Sequence, residues 1–169
     1  MPEDETKIDD LMLGVSWNGI TATQERIQKI DDKANNTLTF SGVLMVVISG
    51  FLIGLIDKIH PFIVVFITVD LLLLSVGMYY AFETIWLKKQ EFLDVLTTFK
   101  SLDLTNSSQA SIDLSLSIAA WQQRAEIIGN WKSDHLLKSM KYVRGALIFI
   151  IIIALISVGG YLAPILCNL

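Results

Sequence analysis

Asp70 is the residue best placed to do chemistry in this 169-residue chain. It stands inside the run Pro61–Phe82, PFIVVFITVDLLLLSVGMYYAF, and no Lys, Arg or His lies in that run or in the two other long apolar runs to pair with it. A charged side chain at mid-membrane costs about 2.5–3.5 kcal/mol on insertion scales, so an acid there needs an explanation. Two readings stay open. The carboxyl is protonated and bonded to a serine hydroxyl or a backbone carbonyl, or it faces a water-filled path where Asp side chains from several subunits attract cations. Counted from the outer ends of their runs, Asp70 lies roughly 13 Å deep, with Ser49 and Ser157 at about 11 and 12 Å. The three define a candidate polar layer.

Little else in the chain suggests reaction chemistry. His135 has Asp134 beside it, but adjacent helix residues point in different directions and no nucleophile is arranged with them, so an exposed histidine is expected. His60 precedes Pro61 and reads as a turn or interface residue, with only its intrinsic pKa to favour a pH-sensing role. A single cysteine, Cys167, allows neither an intrachain disulfide nor a cysteine-based zinc cluster. There is no glycine-rich phosphate loop. The expectation is a protein that is not an enzyme, with no cofactor and no metal. A net charge of −4 and a pI near 5.1 give no overall basic bias for nucleic acid.

The elements that must position Asp70 are membrane helices. Hydrophobic residues make up 53% of the chain and charged ones 18%, with mean hydropathy +0.55. Leu38–Ile56 and Ala146–Ile165 carry no charge, and Pro61–Phe82 carries only Asp70. Each has the roughly 20 residues that a crossing helix needs. The acidic start, MPEDETKIDD, lacks the basic region and nearby apolar run of a secretory signal, so Leu38–Ile56 is expected to remain in the mature protein. Basic residues set the orientation. Of the 13, only Lys58 falls between the first two runs, and the others lie before Leu38 or within Glu83–Gly145. Those two segments are therefore expected in the cytoplasm, and the C-terminus outside.

Before the first run, Leu13, Trp17, Ile20, Ile27, Ile30 and Ala34 form an apolar stripe at helical spacing, with Gly14 and Gly19 as candidate breaks. After the second run, Ile85, Phe92, Val95, Leu96 and Phe99 lie along one side of a predicted helix. Thr105-Asn106-Ser107-Ser108 reads as a turn; its Asn106-Ser107-Ser108 fits a glycosylation pattern, against which the expected cytoplasmic side argues. A further helix, about 109–130, carries Ile112, Leu116, Ala119, Ala120 and Ile127, and Gly129-Asn130 is a candidate interruption. These stripes require a partner surface, either one another in a bundle or the same helices of another subunit in a coiled coil. Within the membrane runs, Gly50, Gly54, Gly159 and Gly160 allow close helix approach. Thr39, Gly42, Val46 and Ser49 share one side of the first run, which either receives a neighbouring helix or lines a path.

The junction Ile30-Asp31-Asp32-Lys33-Ala34-Asn35-Asn36-Thr37-Leu38 leads an amphipathic helix into a two-span hairpin, and Lys141-Tyr142-Val143-Arg144 directly precedes the last run. In these motifs, and in the order of hairpin, cytoplasmic helices and final span, the chain resembles the membrane effectors of Pycsar antiphage systems and the broader SLATT group of predicted pore-forming proteins. That resemblance implies an oligomer that perturbs or permeabilises the inner membrane of a prokaryote when signalled. With every residue assigned to spans and helices, no separate nucleotide-sensing domain is expected, so a trigger acts on the helices or comes through a partner or ligand.

The expected fold is all-α, an integral membrane protein with three transmembrane helices and a cytoplasmic helical bundle. Residues 1–37 form the N-terminal amphipathic helix, 38–82 the hairpin, 83–145 the cytoplasmic helices, 146–165 the third span and 166–169 the outer tail. The leading functional expectation is a homo-oligomeric channel or pore, since three spans in a small chain do not readily enclose a path alone. Asp70, Asn35, Asn36, Thr39 and Ser49 are its candidate lining. A non-conducting scaffold or regulatory subunit, binding a partner through its cytoplasmic helices, is the alternative. A proton- or cation-coupled carrier is disfavoured by the lack of an inverted repeat and of a second buried ionisable group.

Overall fold

The computed structural model describes three helices, with side chains placed over residues 11–54, 61–86 and 109–157. Helix α1 is Pro2–Leu55, α2 is Pro61–Trp86 and α3 is Ser107–Leu166. Each contains a stretch long and apolar enough to cross a membrane. The predicted helix carrying Phe92, Val95, Leu96 and Phe99, together with His60 and Cys167, lies outside the described residues.

Two expected breaks do not occur. α1 runs through Gly14 and Gly19, and α3 runs through Gly129-Asn130. A mid-helix glycine costs only about 0.5–1 kcal/mol relative to alanine, and tertiary packing overrides it. Two of these glycines are where a neighbouring side chain comes close. A Cβ on Gly19 would meet the Gln122 amide at 2.7 Å, and one on Gly129 would meet Ile27 Cγ1 at 3.3 Å.

The helices contribute to two compact units, Met1–Asp32 with Trp86–Ser133, and Lys33–Ile85 with Asp134–Leu169. In the first, Gly19 lies against Gln122 and Ile27 against Gly129, so α1 and α3 run parallel. The buried positions are Ile20, Ile27 and Ile30 on α1, and Ser115, Ile118, Ala125, Gly129 and Lys132 on α3. Their spacings of three, four and seven are those of a coiled-coil seam, here formed within one chain. The α1 stripe is therefore largely as expected, although Trp17 is exposed. The expected face of α3 is not the one used against α1. Ile112, Leu116, Ala119, Ala120 and Ile127 are exposed, and α3 instead turns in a line that includes Ser115, Ala125 and Gly129. Small residues let the helices approach closely, which the bulky side would prevent.

In the second unit α2 runs antiparallel to α3. Gly77 lies against Ser139 and Val143, while Phe66 stacks on Phe149 further along, with ring centroids 5.6 Å apart. The buried face of α2 is Ile67, Asp70, Leu74, Gly77, Ala81 and Thr84, again spaced alternately by three and four. The facing line on α3 is Leu136, Ser139, Val143 and Ala146. A Cβ on Gly77 would stand 3.0 Å from Val143 Cγ2, and Ser139 Oγ donates to the Gly77 carbonyl at 2.7 Å. The apolar stretches bury little against their own chain: only 6% of the most apolar window of α1 is covered. Such a surface requires lipid or another protein chain around it.

Candidate functional site

Asp70 occupies an inward position of α2, between Ile67 and Leu74 on the buried face, and is 1% exposed. Neither of its carboxylate oxygens has a hydrogen-bond partner. The bond to a serine or carbonyl expected of a protonated packing group is therefore not made. Leaving a buried polar group unsatisfied costs about 1–3 kcal/mol. Ser41 Oγ, on α1 in the same unit, is likewise buried and unpartnered.

In the expected polar layer no hydrogen bond joins Asp70 to Ser49 or Ser157. Gly42 approaches Met78, and continuing that antiparallel register brings Ser49 and Gly50 to the level of Asp70. The register of α2 on α3 places Ala146, itself fully buried, near that level. Ser157 is eleven residues further along α3, roughly 16 Å at helical rise, and its hydroxyl donates to the Ile153 carbonyl of its own helix. Depth counted separately along each run misplaced it, because the runs do not end at a common level.

The other lining candidates lie outside the buried face that holds Asp70. Asn35, Asn36 and Thr39 are exposed on α1, with the Thr39 hydroxyl donating to the Asn35 carbonyl at 2.9 Å, and Ser49 is half-buried. A single chain thus holds Asp70 inside and presents the α1 residues outward. The same outward side of α1 carries Val46, Gly50 and Ile53, all exposed. Within the chain, Gly50 and Gly54 do not serve helix packing: an added Cβ would meet nothing within 4 Å at either. Gly77 has that role instead. Gly159 and Gly160 lie beyond the residues whose side chains are described.

Two arrangements were not anticipated. In the first unit, Lys132 has a side chain only 4% exposed, and its ammonium donates to both oxygens of Asp31 at 2.6 and 2.7 Å. Nearby, Arg26 donates to Asn130 at 3.0 Å. The signal for Lys132 was its place in the three-and-four repeat with Ala125 and Gly129. In the second unit, Tyr80 stacks on Tyr142 with ring centroids 5.7 Å apart and also has Lys138 5.8 Å from its ring centroid. His135 lies 6.0 Å from the same ring and is half-buried, which corrects the expected exposed histidine.

Among the described residues no group of three or more His, Cys, Asp or Glu could hold a metal ion. Comparison with family models, with curated proteins and with solved structures finds no match.

Proposed function

We propose that this chain crosses the inner membrane of a prokaryote three times and assembles into a homo-oligomeric channel or pore, gated through its cytoplasmic helices. The observation that carries the reading is Asp70, an acid buried inside an apolar helix with both oxygens unpartnered. A group that destabilises the packed state is explained if another state hydrates it. In that account the described conformation is closed, because Asp70 faces packed protein, and opening admits water to the level of Asp70 and Ser49. The outward side of α1, with Asn35 and Thr39, meets neighbouring subunits or the path, whereas Asn36 borders a groove with α3. The resemblance to antiphage membrane effectors agrees with a signalled opening, the signal being a ligand or partner acting on the helical part.

The test is ion flux in proteoliposomes, comparing the wild type with Asp70→Asn after the oligomeric state has been fixed in detergent. The reading expects the folded variant to lose flux or change selectivity. Unchanged flux removes Asp70 from the path.

One observation favours a second reading, a non-conducting scaffold. Asp70 lies inside its own subunit, and the bulky α3 side with Leu116 and Ile127 is left uncovered, as a partner-binding helix would leave it. Under that reading a well-folded oligomer conducts nothing at any pH or voltage, and Asp70→Asn alters stability alone.

A further inference from the structure

The second unit contains an open groove of about 240 Å³ lined by Asn36, Thr37, Phe40, Met140, Val143 and Arg144. Its position follows from the helix boundaries. Asn36 and Thr37 directly precede the apolar run that begins at Leu38, and Arg144 is the last charged residue before the run that begins at Ala146. The groove therefore sits where two apolar runs begin, which in a bilayer is the headgroup region. The lining is mostly apolar, with Phe40, Met140 and Val143, and Asn36, Thr37 and Arg144 border it as its polar residues.

The charge there is positive and uncommitted. Among the described residues no hydrogen bond or ion pair engages Arg144 or the Asn36 side chain. Thr37 has its hydroxyl tied to the Lys33 carbonyl, and Lys33, one turn earlier on the same side of α1, is exposed. An arginine and an asparagine bordering one groove, with a lysine one turn away, suit a phosphate oxygen, because arginine recognises phosphate through several parallel N–H donors. The apolar wall suits the first methylenes of an acyl chain. The volume is small for a whole amphiphile but adequate for a headgroup whose chains continue into surrounding lipid.

We propose that this groove is a binding site for the headgroup of an anionic phospholipid, with Arg144 and Asn36 holding the phosphate and Phe40 packing beside the acyl chain. The proposal rests on the reading that the apolar runs cross a membrane. It adds a ligand class to that reading and does not depend on conduction. Lys138 is not part of the site, since it lies near Tyr80, and Lys141 is exposed and does not line the groove.

The test uses the purified full chain in detergent, with retained lipid read by native mass spectrometry after addition of phosphatidylglycerol or phosphatidylcholine. Preferential retention of phosphatidylglycerol is expected. Arg144→Gln should weaken it about fivefold, the effect of one basic residue at an anionic surface. Arg144→Lys, which keeps the charge but not the parallel donors, should retain less than the wild type and more than Arg144→Gln. Lys141→Gln, the same loss of charge one turn away and outside the lining, should weaken retention less than Arg144→Gln. Should Arg144→Gln fail to fold, Asn36→Leu removes the amide donor while keeping the arginine, and weaker retention is again expected. Equal retention of the two lipids, or equal loss from Lys141→Gln and Arg144→Gln, overturns the site. Displacement of the lipid by inorganic phosphate at millimolar concentration overturns it as well, in favour of a free anion. Recovery of the chain without detergent would instead refute the membrane reading beneath it.

Discussion

Lys132 and Asp31 form a two-pronged ion pair, with the ammonium almost fully buried and the carboxylate partly open to solvent. The consequences of breaking it are asymmetric. Asp31→Ala leaves an uncompensated buried charge, which costs about 3–5 kcal/mol. Lys132→Met removes the charge and fills the same seam position with an apolar chain, and a change near zero is expected, since Asp31 can be hydrated. Thermal unfolding followed by circular dichroism in one detergent should therefore show a large fall for Asp31→Ala and little for Lys132→Met. Comparable falls would mean that the pair is not buried as described.

The contact between Gly77 and Ser139 gives a second prediction. A methyl group on Gly77 would press on Val143 Cγ2 and approach the Ser139 carbonyl, so Gly77→Ala is expected to destabilise by about 1–3 kcal/mol through overpacking. Ser139→Ala removes one interhelical hydrogen bond and should cost about 0.6 kcal/mol, a typical value for such bonds in membranes. The order of the two effects is the check: a larger loss from Ser139→Ala than from Gly77→Ala contradicts the close approach.

Gly50 separates packing within the chain from packing between chains. Nothing in its own chain stands within 4 Å of an added Cβ, so Gly50→Leu should leave helix content and monomer integrity unchanged. If the outward side of α1 meets another subunit, the same substitution lowers the oligomer's mass by light scattering. An oligomer of unchanged mass would place the subunit contact elsewhere.

How much of this was legible in the sequence depends on what the seams are made of. Ile20, Ile27, Ile30 and Ala34 were readable because isoleucine at helical spacing is conspicuous, and all four are buried. The face of α3 was not, because Leu116 and Ile127 outweigh Ser115 and Gly129 on any hydrophobic count, while close helix approach favours the small residues. Asp70 stood out as the lone charge in the apolar runs. Its burial inside its own chain was carried by a weaker signal, the spacing of Ile67, Asp70, Leu74, Gly77 and Ala81, in which an acid takes a position ordinarily apolar. Lys132 was hidden in the same way. Register between helices was beyond reach, which is why Ser157 was misplaced.

Removing the unpartnered carboxyl should stabilise the packed state. Asp70→Leu replaces a buried polar group without partners by an apolar one of larger size, and a gain of about 1–3 kcal/mol is expected where the site accommodates the extra volume. The same substitution should hold a channel closed, a trade of activity for stability. A fall in stability would indicate that Asp70 is hydrated or partnered in the membrane.

The most direct measurement of the central claim is ion flux in proteoliposomes containing the wild type or Asp70→Asn, each first shown to be a folded oligomer of the same size. A pore with Asp70 on its path predicts flux from the wild type that the variant loses or conducts with altered selectivity. Equal flux from the two proteins would contradict it, and none from either across pH and voltage would move the account to the scaffold or to a pore that opens only on its signal.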